Sequence, residues 1–290
     1  MAMPLVSLVV CTINRTAELG TLFESLVHQE FKAFDVVIVD QNEDDRLVPI
    51  LASAPWPFDI RHVRTPHARG LSRARNAGLK HARGPLIVFP DDDCWYPEWF
   101  LSKGIDLLAE SQAACVTGRA ADNSGRDING RFHRCAAWVD RRNVWTTQIE
   151  WVAFFRKEAL VAVGGYNEDI GIGSATPWGA NEGQDLTLRL LAAGYATYYD
   201  PALYGFHAEL KAVASTAAGL EKSRSYGRGL GHVLRQHGYG MTDLAYWLLR
   251  PAGGCVICML HGKWGVARYY ANVLLGRLEG WIGRRLNVGI

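Results

Sequence analysis

The first half of the chain alternates short β-branched runs with stretches of helical apolar spacing. Residues 6–10 read as a strand buried on both faces. Behind it Leu19, Leu22, Phe23, Leu26 and Val27 recur at the spacing of an amphipathic helix, with Thr16 placed to cap it. The same reading puts strands at 35–39, 60–64 and 86–89, and helices at 46–52 and 71–82, the second stopped by Gly84 and Pro85. Strand and helix in alternation predict an α/β fold with a mostly parallel sheet and crossover helices on its faces. Ligands of such sheets sit at the carboxyl ends of the strands, so the loops after Val10, Val39 and Phe89 should converge on one site.

Further along, the pattern predicts a helix at 97–110, a strand at 113–117 and irregular polar chain over 118–150. A helix at 185–193 ends at Gly194, which suits a left-handed cap, and strands follow at 196–199 and 202–206. Beyond Ala208 the chain turns helical and basic. This composition shift divides a larger domain, 1–215, from a basic amphipathic helical tail, 216–290.

Composition removes several function classes. With 49% hydrophobic and 21% charged residues, the chain is of the folded rather than the disordered kind. A formal net charge of +2 argues against a nucleic-acid binder. The average hides a split. Residues 221–290 hold ten basic and three acidic side chains, a surplus of seven positive charges, which leaves −5 on the rest. Short apolar stretches flanked by Lys, Arg, Trp247 and Tyr246 fit either an interfacial segment on an anionic membrane surface or a cap packed on the larger domain. No stretch approaches the ~20 uncharged residues of a membrane span; the apolar run at 251–260 is half that length. Without a secretory pattern at the start, a cytoplasmic location with reduced thiols is expected, peripheral on the inner face of the plasma membrane if the tail docks there. Cys255 and Cys258 have redox spacing but lie in an apolar run and read as buried structural residues.

The densest chemistry is Asp91, Asp92 and Asp93, directly after the strand at 86–89. Three adjacent carboxylates repel one another, and placing them at a buried strand end favours a cation beside them. Oxygen ligands there suit Mg²⁺ or Mn²⁺ shared with a phosphate; a solvated acidic turn is the other reading.

Taken with the run from Val6 through Thr12 to Arg15, with Asp40-Gln41-Asn42 closing the second strand, and with Gly70 through Arg73 and Asn76 to Gly78, this triplet resembles glycosyltransferase family 2. The resemblance covers about residues 5–210. It implies a GT-A fold, Rossmann-like, here with a C-terminal helical extension. It also implies a metal-dependent, inverting, hexosyl-type transferase. The donor would be a nucleotide-diphosphate sugar, the acceptor a hydroxyl of a glycan or lipid-linked saccharide, and the setting bacterial surface-polysaccharide synthesis. Carried over residue by residue, it assigns Thr12, Asn14, Arg15, Asp40, Gln41, Arg73, Asn76, Asp91 and Asp92 to the donor. Asp91, Asp92, Asp93 and His207 would hold Mn²⁺ or Mg²⁺. Arg73 and Arg75, two apart, cannot share a helix face, and Arg73 is taken as the one facing the nucleotide.

Two departures matter. Gln41 stands where the family has a second acid, which opens the choice of nucleobase, since an amide both donates and accepts. Gly183 stands where the family has the Asp of an acidic pair. The catalytic base then falls to Glu182, expected on the loop, with Asp185 supporting it at the helix start, where the dipole weakens a base. The missing Asp also motivates an alternative, a non-catalytic sugar-nucleotide or glycan-binding module on the same fold. A nucleotidyltransferase or dinucleotide oxidoreductase lacks its Gly-rich loop after the first strand.

Overall fold

Strand β1 (Val6–Thr12) and strand β2 (Phe34–Asp40) are buried at every position, as strands covered on both faces must be. The computed structural model describes residues 3–53, 55–209 and 216–287. Helix α1 (Ala17–Val27) joins the two strands and buries Leu19, Leu22, Phe23 and Leu26 completely. Thr16 occupies its N-cap position, but its side chain makes no capping hydrogen bond. Helix α2 (Val48–Ala52), strand β3 (Asp59–Arg64), helix α3 (Leu71–Leu79) and strand β4 (Leu86–Val88) follow in the expected alternation. Gly78 lets α3 lie close on the sheet: a Cβ there would stand 2.3 Å from Val9 Cγ1 and 2.8 Å from Val39 Cγ2.

Beyond β4 come strand β5 (Cys94–Trp95), helix α4 (Phe100–Ser111), strand β6 (Cys115–Ala121), strand β7 (Ala137–Trp138) and helix α5 (Val144–Thr147). Strand β8 (Phe154–Arg156), helix α6 (Lys157–Ala162), helix α7 (Glu182–Ala192) and strand β9 (Thr197–His207) complete the α/β part. The strands form one sheet in the order β3-β2-β1-β4-β8-β6-β9-β5, with β7 paired to β9. Pairings among β3, β2, β1 and β4 and between β6 and β9 are parallel, while β8 enters antiparallel on both sides.

Three expectations change. The strand expected to stop at 117 runs on through Gly118, because a Cβ there would come within 1.9 Å of the Leu203 carbonyl oxygen and glycine alone permits that approach. The two strands expected at 196–199 and 202–206 are one strand, β9, whose ladder to β6 is interrupted around Pro201. Helix α7 begins at Glu182, three residues before its expected start.

The chain divides into two compact units, Met1–Arg69 with Arg73–Tyr166 and Leu186–Leu210, and Gly70–Ser72 with Asn167–Asp185 and Lys211–Ile290. The boundary expected at residue 215 lies outside the described residues. In the second unit, helices α8 (Ala217–Gln236), α9 (Met241–Leu260) and α10 (Trp264–Ile282) pack together. Glycines make this close: a Cβ at Gly231 would meet the Arg277 carbonyl oxygen at 2.0 Å, and one at Gly280 the Arg228 carbonyl oxygen at 2.0 Å. Glu279, fully buried, accepts from Arg224 at 2.6 Å and Arg228 at 3.2 Å. Contrary to the expectation of no span-like stretch, α9 is long and apolar enough, by length and composition, to cross a membrane. Cys255 and Cys258 are free thiols, only half-buried.

Candidate functional site

Three strand ends meet as the alternation requires. Thr12 pairs in register with Asp40, Gln41 N–H donates to the Thr12 carbonyl at 3.0 Å, and Cys11 bridges to Asp91. Asp40, 1% exposed, is saturated by its neighbours. One oxygen accepts the N–H and the side-chain amide of Asn42, both at 2.8 Å, and the other accepts from His62 Nε2 at 2.9 Å. Asn42 in turn accepts the N–H of Asn14 at 2.6 Å, holding Asn14 in the left-handed region at φ 62°. Gln41 donates its amide to the Ala68 carbonyl. Asp40 and Gln41 therefore shape this corner through internal bonds, with His62 as a partner that no sequence motif announced. Thr12 Oγ1 is buried beside the Asp92 carboxylate.

The acidic triplet is split among Arg15, Arg75 and His207. Arg15 Nη1 lies 2.5 Å from Asp92 and 2.6 Å from Asp93. Arg75, its side chain 3% exposed, lies 3.3 Å from Asp91 and over the Tyr166 ring at 5.0 Å. Antiparallel pairing of Cys94 with His207 brings the imidazole alongside, where Nε2 lies 3.0 Å from Asp93. Asp91, Asp93 and His207 have their ligating atoms within 4.8 Å of one another. Asp92, expected with them, is not in this group; it is turned to Arg15.

Burial and charge set the protonation of this cluster. Burial pushes the Asp91 carboxyl up to about 6, outweighing the attraction of Arg75, with Glu150 and Asp93 adding to the rise. Burial likewise raises Asp92, which the neighbouring Thr12 hydroxyl and Arg15 only partly offset. For Asp93 burial acts upward too, but the bond and charge of His207 together with Arg15 hold it below the usual carboxylate range. Burial disfavours a charged His207, yet its bonds to Asp93 and to the Ala208 carbonyl leave its pKa raised. Nδ1 lies 2.7 Å from the Ala208 oxygen and Nε2 3.0 Å from Asp93, contacts that favour the protonated ring. With Nδ1–H kept on Ala208, loss of the Nε2 proton frees a lone pair beside two carboxylates, an arrangement that metal-binding histidines share. Carboxylates plus one imidazole suit Mn²⁺ better than Mg²⁺.

On α3 the two arginines lie in different surroundings. Arg75 is buried against Asp91, whereas Arg73 is exposed. Asn76, expected at the donor, spends its amide on the chain: Nδ2 donates to the Tyr166 carbonyl at 2.9 Å and Oδ1 accepts the Tyr166 N–H at 2.8 Å. It fixes the turn that places Tyr166 under Arg75.

In the second unit Asn181, at φ 74°, turns the chain into α7. Glu182 therefore stands in the first helical turn rather than on the loop. It is 5% exposed and backed by Gly171, where a Cβ would lie 3.0 Å from its carboxyl carbon. Asp185 is fully buried and bonded to His237 Nε2 at 2.8 Å. The loop before α7 is tied down by Arg228, which donates to the Pro177 carbonyl at 3.2 Å, and by a face-to-face stack of Trp178 on His232 at 4.5 Å. A cavity of about 720 Å³, against Leu5, Leu86, Ile105 and Val161, touches none of the candidate residues.

Comparison with known proteins agrees with this fold. The sequence model of glycosyl transferase family 2 matches residues 7–173. An uncharacterized glycosyltransferase of Haemophilus influenzae is 34% identical over 95 residues, covering 32% of this chain and 31% of that protein. A GalNAc(5)-diNAcBac-PP-undecaprenol beta-1,3-glucosyltransferase of Campylobacter jejuni is 29% identical over 187 residues, covering 61% and 59%. The chain thus spans less than two thirds of the length of these relatives. Among solved structures, a mannosyltransferase of Pyrobaculum calidifontis in complex with GDP-Man and Mn²⁺ superposes with a TM-score of 0.67 at 16% identity, covering 96% of this chain and 88% of the other. At that identity the likeness establishes the shared fold.

Proposed function

The chain belongs to glycosyl transferase family 2, and from that premise we propose a metal-dependent, inverting transfer of a hexosyl group from a nucleotide-diphosphate sugar to a hydroxyl of a glycan or lipid-linked saccharide. The observation that carries the reading is the grouping of Asp91, Asp93 and His207 beside Arg15. These three side chains would hold a divalent cation, Mn²⁺ before Mg²⁺, which when bound supplies positive charge to the departing diphosphate.

The rest of the work falls to the chain's own groups. Arg15, 41% exposed, is free to exchange its carboxylate partners for donor phosphate oxygens. The Thr12 hydroxyl and the Asn14 side chain are assigned to the nucleoside. Asp40, held by Asn42 and His62, orients that corner and leaves the choice of base to its neighbours. Glu182 is the general base: it removes the acceptor proton as the oxygen attacks opposite the diphosphate. Asp185, committed to His237, positions the start of α7 instead. Support for a saccharide acceptor on a lipid carrier comes from the name of the Campylobacter relative, and for Mn²⁺ and a nucleotide sugar from the Pyrobaculum neighbour. The setting proposed is bacterial surface-polysaccharide synthesis on the cytoplasmic side of the membrane.

A donor screen tests it. The protein is incubated with Mn²⁺ and a panel of nucleotide sugars, and hydrolysis and melting temperature are followed. One donor should raise the melting temperature only with Mn²⁺ present and be slowly hydrolysed. Binding of a nucleotide sugar without turnover on any acceptor would instead favour a non-catalytic module.

A further inference from the structure

Helix α9 presents an apolar stripe that its own unit leaves uncovered. One side of α9 rests on α10: a Cβ at Gly254 would touch the Tyr270 ring at 3.0 Å, and Arg277 donates to the Trp247 carbonyl. Leu244 and Pro251 are buried on that side. At about 3.6 residues per turn, Tyr246, Leu249, Val256, Ile257 and Leu260 align on the other side. Their exposures are 55, 69, 51, 58 and 80%, and Trp264, 65% exposed, opens α10 just beyond. A continuous apolar surface of this kind marks an interaction site.

The charges around the stripe select the partner. Between Asp243 and Glu279 the sequence has no acidic residue, while Arg250, Lys263, Arg268 and Arg277 fall in that interval. Arg250 lies over the rings of Tyr246 and Trp247, at 5.2 and 5.7 Å, which holds its charge at the stripe's margin. Lys263 and Arg268 are exposed on either side of Trp264 in sequence. An apolar stripe edged by amphipathic aromatics and by cations complements the headgroup layer of an anionic bilayer.

We propose that this stripe docks the protein on an anionic membrane surface, with α9 lying in the interface. Leu249, Val256, Ile257 and Leu260 face the acyl boundary, and Lys263 and Arg268 meet lipid phosphates. The helix lies on the bilayer rather than crossing it. Its other side is packed on α10, so insertion would draw Arg277 and the Arg224–Glu279–Arg228 cluster toward hydrocarbon. The proposal concerns where the protein works and stands apart from the transfer reading, although a lipid-linked acceptor would require such a position.

Flotation with vesicles tests it. The full chain is mixed with vesicles of phosphatidylcholine, alone or with roughly a third phosphatidylglycerol, and spun through a density gradient. The protein should float with the anionic vesicles, stay down with the neutral ones and be released by salt. Leu249→Glu combined with Ile257→Glu should stay down. Lys263→Gln combined with Arg268→Gln should lower partition roughly 25-fold, about fivefold per charge. Circular dichroism and donor hydrolysis in lipid-free buffer should match wild type in both variants, which separates lost docking from lost folding or chemistry. Wild-type protein that stays down with anionic vesicles at low salt overturns the proposal, as does wild-type flotation of the Glu variant. So does a lipid-free dimer that the Glu variant renders monomeric, because the stripe would then belong to a second copy.

Discussion

His237, at the C-terminal end of α8, donates from Nε2 to the Asp185 carboxylate at 2.8 Å. The carboxylate is fully buried, and the pair joins residues 52 apart in sequence. Replacing His237 with Ala leaves a buried acceptor short of a donor and should cost about 1–3 kcal/mol, lowering the melting midpoint by several degrees. His237→Gln, which keeps a donor, should recover part of the loss. An unshifted midpoint in His237→Ala would mean that other contacts alone hold Asp185.

The two acids at the start of α7 should separate by readout. Glu182→Gln is expected to lower kcat roughly 10²–10⁴-fold with little change in melting temperature. Asp185→Asn should mainly lower stability. Near-wild-type turnover in Glu182→Gln would move the base elsewhere.

Removal of the imidazole should weaken cation binding without unfolding the sheet. His207→Ala is expected to raise the Mn²⁺ concentration for half-maximal donor hydrolysis at least tenfold. Asp93→Ala should abolish the Mn²⁺-induced rise in melting temperature, measured without donor. A melting response to Mn²⁺ preserved in Asp93→Ala would rule out this cluster as the cation site.

The arginines of α3 should behave oppositely. Arg75→Ala removes a buried cation that serves both Asp91 and the Tyr166 ring, at a cost of about 2–3 kcal/mol. Arg73→Ala, at an exposed position, should stay within about 0.5 kcal/mol of wild type. Chemical denaturation of both variants decides it; equal losses would contradict the assignment.

Glu279 predicts acid sensitivity of the helical unit. Burial acts to raise its pKa, but the bonds from Arg224, the Leu286 N–H and Arg228 prevail and hold it below the ordinary 4.5. A group depressed in the folded state contributes stability above its unfolded pKa and loses it as pH falls through the folded value. Glu279→Gln should therefore melt well below wild type at pH 7, with the gap closing under about pH 4. A gap unchanged down to pH 3 would show that the carboxylate's charge is not what stabilises α8 against α10.

Where sequence reading succeeded, the signal was local. The seven buried positions of β1 and β2 come from runs of Val, Ile and Leu that no other element would bury so completely. It failed where a neighbour distant in sequence decided the outcome. Gly118 looked like a strand end, yet it is where the Leu203 carbonyl passes. Asp200 and Pro201 fell between two expected strands, but they sit in a break of the β6 ladder, where Pro201 accepts from Arg119 at 2.7 Å. Helix α7 starts early because Asn181 adopts the left-handed conformation, which spacing alone does not announce.

The candidate site divides along the same line. Motif order and the alternation of strand and helix determined the family, the placement of the acidic triplet after β4, and a basic tail distinct from an acidic body. Each of these depends on residues close together in the chain. Only the tertiary structure decided which charge each acid meets. Asp92 takes Arg15, 77 residues away, Asp93 takes His207, 114 residues away, and Arg75 rather than Arg73 turns to Asp91. Such pairings depend on strand register and helix phase, and a shift of one residue in either would point a different side chain into the site.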